Sequence, residues 1–282
     1  MKKLLWPLAL AAGMAKLAPE VLKRTMAPPQ RPQPHTPRDL GLPEVEVELL
    51  SVTGTDLRGW LIPVGRPAPA VVVLHGWGAN ASLMLPLAAP LHAAGFHALF
   101  LDARNHGRSE HDDFSSMPRF AEDLEVALTW LAARDEVTRI GVIGHSVGAG
   151  AALLVGSRNP LPAAIISASS FAHPGRLMST QGPLSRAPQP IKAGVLRTIE
   201  KTIGHPFDEI APESTAGRVD VPLLLIHGDA DSVVPVADVH RLAESNPRAE
   251  VLIIPGADHG SLEAFIPYMD RLIGFLARHL GG

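Results

Sequence analysis

The sequence lacks cysteine altogether. A disulfide-stapled fold, a zinc site built on thiolates and a cysteine nucleophile are therefore excluded. Charged residues are few, at 19% against 46% hydrophobic residues, which excludes a disordered chain and supplies the apolar side chains that a large folded core needs. An excess of positive charge is missing too, because the net charge is −3, and no overall positive field attracts nucleic acid.

A hydrophobic run long enough to cross a membrane is also missing from the amino-terminal segment. The uncharged stretch Leu4–Ala15 would form a helix of about 18 Å, which is shorter than a hydrocarbon core of about 30 Å. Residues 1–27 therefore favour three other interpretations: an export signal cleaved after Ala15, an amphipathic helix lying on a membrane surface, or a helix packed on the protein itself. We expect membrane association or export, with a cytoplasmic location as the alternative.

The charge is unevenly distributed along the chain. Residues 1–38 hold seven Lys and Arg against one Glu, a local charge of +6, and the remaining residues carry −9. Six prolines between residues 28 and 43 favour an extended conformation, which predicts a linker. The organisation we expect is a basic apolar segment over 1–27, a proline-rich linker over 28–43 and one folded domain over 44–282, with membrane-surface contact possible through residues 1–24.

Short apolar runs alternate with helical patterns throughout residues 44–282. Six of the runs are continuous, which is typical of parallel strands buried on both faces, and two more form a hairpin ahead of them. The predicted strands are Val45–Leu50, Leu57–Ile62, Ala70–Leu74, Ala98–Leu101, Ile140–Ile143, Ala163–Ile166, Leu223–Ile226 and Val251–Ile254, and the predicted helices are Ser82–Ala94, Phe120–Ala133, Val147–Ser157, Val236–Ser245 and Ser261–Leu280, the last interrupted at Pro267. This alternation predicts an α/β fold with a mostly parallel, eight-stranded sheet and helices on both faces, whose ligands bind at the carboxyl ends of the strands.

The most specific motif is Gly144-His145-Ser146-Val147-Gly148, placed between a predicted strand and a predicted helix. A sharp strand-to-helix turn exposes the Ser146 hydroxyl above the sheet, and it closes only if the residues two before and two after are small. The alternative is a tight glycine-rich turn without chemistry. We interpret Ser146 as a nucleophile.

A serine nucleophile needs a general base and a carboxylate that orients the base. His259 follows the last predicted strand, whereas other late histidines fall inside predicted helices. Asp229 and Asp231 both follow the strand before it, and we favour Asp231 because the residue farther from the strand end can reach across the crevice. The predicted triad is Ser146, Asp231 and His259.

An attacked carbonyl develops an oxyanion, which two backbone N–H groups can stabilise. Val147, directly after the nucleophile, is one predicted donor. Trp77 is the other, since Gly76 and Gly78 on either side let the backbone approach closely. The alternative interpretation of Trp77 is an ordinary buried tryptophan.

Together these motifs resemble the α/β-hydrolase superfamily over residues 45–280. The turn Asp102–Ser109 is similar to a structural turn of that superfamily. Trp77 stands where lipases and esterases with a His-Gly-Gly-Gly loop have glycine, and Ser146 excludes the aspartate nucleophile of haloalkane dehalogenases. The chain otherwise looks like prolyl-oligopeptidase-like peptidases, which often use a tyrosine as an oxyanion donor; the single tyrosine, Tyr268, lies in the last helix and disfavours peptidase activity.

Residues 171–219 form an insertion before the seventh strand, where the superfamily often carries a cap. Proline and glycine interrupt this stretch, which is typical of a mobile lid. Phe171, Leu177 and Met178 indicate a small apolar substrate, or else the cap's own core.

The sequence thus predicts a serine hydrolase that cleaves a carboxylic ester or related acyl bond of a small molecule, with no cofactor and no metal. A peptidase or thioesterase of the same fold and a non-catalytic binding module remain as alternatives. A metal enzyme is a further rival, since four histidines near strand ends could bind zinc: His75, His106, His145 and His227.

Overall fold

The computed structural model describes residues 22–281 as one eight-stranded sheet with helices on both sides. The spatial order of the strands is β1-β2-β4-β3-β5-β6-β7-β8. In chain order the strands are β1 Val45–Leu50, β2 Asp56–Ile62, β3 Ala68–Leu74, β4 His97–Asp102, β5 Val137–His145, β6 Pro162–Ala168, β7 Leu223–Gly228 and β8 Glu250–Ile254. All eight predicted strands are confirmed, and most are one to three residues longer than predicted at their ends.

The sheet is parallel from β3 to β8 and antiparallel at one edge. Strand β1 pairs with β2, and β2 pairs with β4, in the antiparallel sense, whereas every other neighbouring pair is parallel. Parallel neighbours need a crossover, and the helices between them supply it. The carboxyl ends of β3 to β8 therefore meet along one edge of the sheet.

Nine α-helices are assigned within residues 37–281, where four 3-10 helices accompany them. The α-helices are α1 Ala88–Ala93, α2 Met117–Ala132, α3 Val147–Gly156, α4 Pro174–Thr180, α5 Gln189–Ile203, α6 Phe207–Ile210, α7 Pro212–Ala216, α8 Ala237–Ser245 and α9 Met269–Leu280, and the 3-10 helices are Pro37–Leu40, Ala81–Leu87, Gly182–Arg186 and Leu262–Tyr268. Residues 22–25 are also helical. The predicted helix over 82–94 is in fact a 3-10 helix followed by α1, because Pro86 and Pro90 lack the N–H that a continuous α-helix needs.

Both faces of the sheet are buried, as continuous apolar runs predict. In β3 all seven residues are buried; Val72 packs into the core on one face of the sheet, and Val71 and Val73 pack into the core on the other. Helices α2, α3 and α8 cover the first face, and α1 and α9 cover the second. This two-sided burial fixes the strand ends that carry the site.

Two further segments pack against the sheet and the helices that cover it. Residues 171–219 contain α4 to α7 between β6 and β7, at the predicted position of the cap. Residues 26–36 run along the domain and form hydrogen bonds with it, for example from the Ser115 N–H to the Met26 carbonyl (2.8 Å). Whether residues 28–43 act as a linker stays a prediction.

The apolar segment Leu4–Ala15 and the rest of residues 1–21 of the basic amino-terminal segment lie outside the described residues. Within residues 22–281, no helix combines the length and the apolar character that spanning a bilayer requires.

Candidate active site

The Ser146 turn joins β5 to α3 at the carboxyl edge of the sheet. Ser146 has φ +54° and ψ −115°, a conformation that non-glycine residues adopt only where surrounding contacts enforce it. A Cβ atom at Gly144 would lie 2.3 Å from the Gly148 carbonyl oxygen, and one at Gly148 would lie 2.5 Å from the His75 carbonyl oxygen. Both positions therefore require glycine, which accounts for the motif.

The three predicted triad residues come together in one hydrogen-bonded chain. The Ser146 Oγ lies 3.0 Å from His259 Nε2, and His259 Nδ1 lies 2.7 Å from Asp231 Oδ2. Because a carboxylate only accepts, the proton of His259 lies on Nδ1, and Nε2 is left to accept from the Ser146 hydroxyl. This is the arrangement that general-base activation of a serine requires.

Asp231 is buried and receives more than one donor on each oxygen. The backbone N–H groups of Val233 and Val234 donate to Oδ1 at 2.9 and 2.7 Å, and His227 Nε2 lies 3.4 Å from Oδ2. Burial alone would raise the pKa of Asp231, but the hydrogen bonds from His227, His259 and the Val234 N–H hold it below the ordinary value. Asp231 therefore stays ionised at neutral pH.

Asp229, the competing orienter, lies in the turn and points elsewhere. Its Oδ1 accepts from the Gly256 N–H at 2.6 Å, which ties the loop after β7 to the loop after β8. Asp258 has a similar supporting role, since its Oδ1 accepts from both the N–H and the hydroxyl of Ser232. Of the two aspartates that the sequence left in competition, only Asp231 reaches His259.

His75–Asn80, which we call the oxyanion loop, follows β3 and lies against the Ser146 turn. A Cβ atom at Gly76 would lie 3.0 Å from Ser146 Cβ, so glycine allows the close approach. No acceptor among residues 22–281 takes the Trp77 N–H, and Val147 begins α3, where the first N–H groups of a helix have no partner within it. The Trp77 ring is 42% exposed, so Trp77 is not an ordinary buried tryptophan.

Three of the four histidines near the strand ends, His75, His106 and His145, support the backbone of the site. His75 Nε2 accepts from the Ala103 N–H, His106 Nε2 accepts from the Gly78 N–H, and His145 Nε2 donates to the His259 carbonyl at 2.9 Å. Burial lowers the pKa of His75 and of His145 to about 4, and that of His106 to about 3. Within the described part of the chain, no group of three or more His, Asp and Glu side chains could hold a metal ion.

Sequence reasoning missed the direct contact between His227 and the triad. The Nδ1 atom of His227 has no partner within residues 22–281, so the proton lies on Nε2, which is 3.0 Å from the Val234 carbonyl and 3.4 Å from Asp231 Oδ2. The signal was present in the spacing, since His227 is the next-to-last residue of β7 and precedes Asp231 by four residues.

The insertion before β7 touches the site through α4. Gln181 Nε2, at the end of α4, donates to the Val233 carbonyl at 2.6 Å, beside Asp231. Of the apolar residues named for substrate contact, Phe171 is buried in the core, Leu177 is partly buried against it, and Met178 is 37% exposed. Phe171 thus belongs to the core, and Met178 is the most exposed of the three side chains, so it is the one available for contact with a substrate.

Comparison with known proteins finds a hydrolase family model and relatives that include a lipase. A family model described as serine aminopeptidase, S33, matches residues 65–204. A monoacylglycerol lipase of Mycolicibacterium smegmatis is 28% identical over 70% of this chain and 83% of its own length, and the uncharacterised protein YfhR of Escherichia coli K12 is 28% identical over 82% and 79%.

Among solved structures, an esterase of Pyrococcus furiosus, Pf2001, superimposes with a TM-score of 0.73 at 26% identity, covering 91% of this chain and 98% of that chain. The chain belongs to the α/β-hydrolase superfamily, as an enzyme similar to its esterases and lipases.

Proposed function

We propose that this protein is a serine hydrolase that cleaves a carboxylic ester of a small molecule through an acyl-enzyme. The observation that carries the proposal is the continuous path from Asp231 Oδ2 through His259 to the Ser146 hydroxyl, at 2.7 and 3.0 Å. It ends at a strained turn beside the Trp77 and Val147 N–H groups, which have no acceptor within residues 22–281. A binding module has no need of this combination.

The reaction has two halves. As the Ser146 Oγ attacks the ester carbonyl, His259 Nε2 takes the hydroxyl proton, and the N–H groups of Trp77 and Val147 donate to the oxyanion. The tetrahedral intermediate collapses, His259 returns the proton to the departing alcohol, and the acyl group stays on Ser146. Water then attacks the acyl-enzyme with His259 again acting as the base, which releases the acid and restores Ser146.

Asp231 serves both halves without changing its own protonation. Its charge stabilises the His259 imidazolium that forms in each step, and its hydrogen bond keeps the ring in the productive tautomer. The contact from His227 adds a second histidine N–H to the same carboxylate oxygen, which helps to fix the carboxylate's orientation.

The ester class is supported by the relatives, which include an esterase and a monoacylglycerol lipase. Peptidase and thioesterase activity are the alternatives within the same fold, and the matching family model is described by an aminopeptidase name. Tyr268 packs its side chain against the buried core on the α1 and α9 face, which gives a tyrosine-assisted peptidase mechanism no support.

Labelling with a fluorophosphonate probe tests the proposal directly. Wild-type protein should be labelled, and Ser146→Ala should not, because Ser146 Oγ is the atom that the phosphorus captures. A matched control is Ser232→Ala, which removes a nearby hydroxyl that donates to Asp258, outside the triad. An unlabelled wild type would contradict the hydrolase proposal; a labelled Ser146→Ala would contradict the nucleophile.

A substrate screen then separates the alternatives. We expect p-nitrophenyl esters to be hydrolysed faster than matched thioesters and anilides, with kcat/KM varying with acyl chain length. Faster turnover of aminoacyl anilides would instead favour the aminopeptidase.

The basic amino-terminal segment is proposed to contact a membrane surface through residues 1–24. Its local charge supports this, since six more Lys and Arg than Asp and Glu fall within residues 1–38. Sedimentation with vesicles tests it. Full-length protein should bind vesicles rich in phosphatidylserine, and about 0.5 M salt should release it, because salt screens the attraction between the basic side chains and the anionic lipids. Equal binding to uncharged vesicles would contradict the electrostatic part of the proposal.

A further inference from the structure

Residues 28–36, which we call the strap, lie beside the oxyanion loop. The strap is the first part of the proline-rich segment 28–43, and its Pro28 lies next to Gly78, where an added Cβ would be 3.9 Å from Pro28 Cβ. Prolines fix its extended backbone, so its carbonyl groups and side chains are held at set positions along the loop.

Asn80, at the end of the oxyanion loop, is fully buried and forms hydrogen bonds with the backbone of the strap. Its Nδ2 donates to the carbonyls of Arg31 and Pro32, both at 3.1 Å, while its Oδ1 accepts from the Leu83 N–H. Two residues further on, the Ser82 hydroxyl donates to the His35 carbonyl at 2.8 Å. The carboxyl end of the loop is therefore attached to the strap backbone.

Asp102, at the end of β4, connects the strap to the same stretch of chain. The Ala81 N–H donates to Oδ1 at 2.7 Å, the Arg108 N–H donates to Oδ2 at 3.1 Å, and Gln33 Nε2 in the strap donates to Oδ2 at 2.5 Å. Asp102 is 1% exposed. A buried carboxylate with these three donors holds each donor strongly, because bonds to a charged acceptor are about twice as strong as neutral ones.

The middle of the oxyanion loop is fixed by the turn that follows Asp102. His106 Nε2 accepts from the Gly78 N–H at 3.0 Å, and His106 Nδ1 donates to the Arg104 carbonyl. Trp77, the proposed oxyanion donor, thus lies between Gly76, packed on Ser146, and Gly78, held by this turn. The strap, the turn after Asp102 and the oxyanion loop form one connected set of hydrogen bonds. Asp102 is the buried centre of this set, and Gln33 is the strap side chain that bonds to it.

We propose that Gln33 is a positioning residue for catalysis, which acts through Asp102 to hold the oxyanion loop and its Trp77 N–H in place. The inference rests on the proposed function, since it assigns the Trp77 N–H to the oxyanion. It gives the amino-terminal segment a part in the reaction, beyond any role as a linker.

The consequence is specific to the transition state. An oxyanion donor contributes little to binding the neutral carbonyl of the substrate and much to the charged tetrahedral state. Loosening the loop should therefore lower kcat and leave KM nearly unchanged. Loss of a whole donor typically costs 10²–10³-fold in kcat, so a displaced donor should cost about tenfold.

The test compares Gln33→Met with Gln30→Met in the full-length protein. Gln30 is the matched control, because it lies in the same strap and its Nε2 also donates one bond to the turn, to the Ser109 carbonyl at 2.7 Å, but not to Asp102. Gln33→Met should lower kcat about tenfold with KM within twofold, and Gln30→Met should stay within twofold on both. Equal effects of the two variants, or a rise in KM that accounts for the loss, would overturn the proposal.

A second variant gives a measurement, the pH dependence of kcat, that a purely structural role of Gln33 would leave unchanged. Gln33→Glu places two carboxyl groups at hydrogen-bond distance, which repel when both are ionised and share a proton when one is not. The group facing Asp102 with a full charge is Arg108, and burial raises the pKa of Asp102 to about 6. The ratio of variant to wild-type kcat should therefore rise as the pH falls from 8 to 6; a flat ratio would overturn the proposal even if Gln33→Met fails to fold.

Fluorophosphonate labelling separates the two levels of inference. An unlabelled wild type overturns the proposed function and this inference with it. A labelled wild type whose kcat is unchanged in Gln33→Met overturns this inference alone.

Discussion

Replacing Asp231 by asparagine should invert the tautomer of His259. The backbone N–H groups of Val233 and Val234 donate to Oδ1, so the asparagine must turn its own oxygen toward them. Its NH2 group then occupies the Oδ2 position, 2.7 Å from His259 Nδ1, and donates where the carboxylate accepted. The His259 ring then carries its proton on Nε2, which can no longer accept a hydrogen bond from the Ser146 hydroxyl.

A triad held in the wrong tautomer loses about 10⁴-fold in kcat, which corresponds to about 5.5 kcal/mol of transition-state stabilisation. The assay is steady-state hydrolysis of a p-nitrophenyl ester at pH 7 to 8, with active sites counted by fluorophosphonate labelling over long exposure. Asp229→Asn is the matched control: the asparagine oxygen can still accept from the Gly256 N–H, and we expect kcat within about threefold of wild type. If Asp231→Asn keeps more than a tenth of the wild-type kcat, or if Asp229→Asn loses as much, the assignment of the orienting carboxylate is wrong.

Two further predictions concern stability. Gly148→Ala places a methyl group 2.5 Å from the His75 carbonyl oxygen, and it should lower the free energy of unfolding by about 1–3 kcal/mol in urea, whereas Gly274→Ala, whose nearest neighbouring atom is 3.8 Å away, should not lower it; equal effects would contradict the packing argument. Burial lowers the pKa of His75, His106 and His145, so these rings bind protons in the unfolded chain first as the pH falls below about 6.5. Their contribution to the free energy of unfolding is therefore full above that pH and is lost toward pH 4 for His75 and His145 and toward pH 3 for His106, by up to about 1.4 kcal/mol per pH unit for each ring, and His106→Gln should flatten the measured slope.

The sheet could be predicted because most of its strands are buried on both faces, although β1 and β8 are partly exposed. Burial on both sides selects short continuous apolar runs such as Val71–Leu74, whose β-branched residues distinguish them from the buried helix α3, which is rich in Ala and Gly. Helix type was less predictable. Whether residues 81–93 form one α-helix or a 3-10 helix followed by an α-helix depends on two prolines and on local packing, and hydrophobic periodicity responds to neither.

The proposed triad could be predicted because each member lies in the loop or turn that follows a parallel strand. The chain topology then brings these positions to one edge, whatever the distance between them in sequence. The sequence favoured Asp231 over Asp229, and the structure shows how the two differ, since only the Asp231 side chain points to His259. His227 was considered as a metal ligand, so its contact with Asp231 was not predicted.

The strap could not have been placed from the sequence. Proline content predicts an extended backbone, but it carries no information about the surface on which that backbone lies. Gln33 and Asn80 belong to irregular segments with no periodic pattern, and the bonds that join the strap to the domain span 47 to 79 residues. Such contacts depend on the finished sheet, which sets the position of Asp102.

These long separations have a consequence for synthesis on the ribosome. The strap leaves the ribosome early, yet its partners at Asn80, Asp102 and Ser109 are made tens of residues later, so it has nothing to bind until β4 and the following turn have emerged. Contacts between distant residues form only after the intervening chain has closed into a loop. The strap is thus made before the surface that it binds, and a nascent chain completes the bonds between the strap and the oxyanion loop only after that surface has formed.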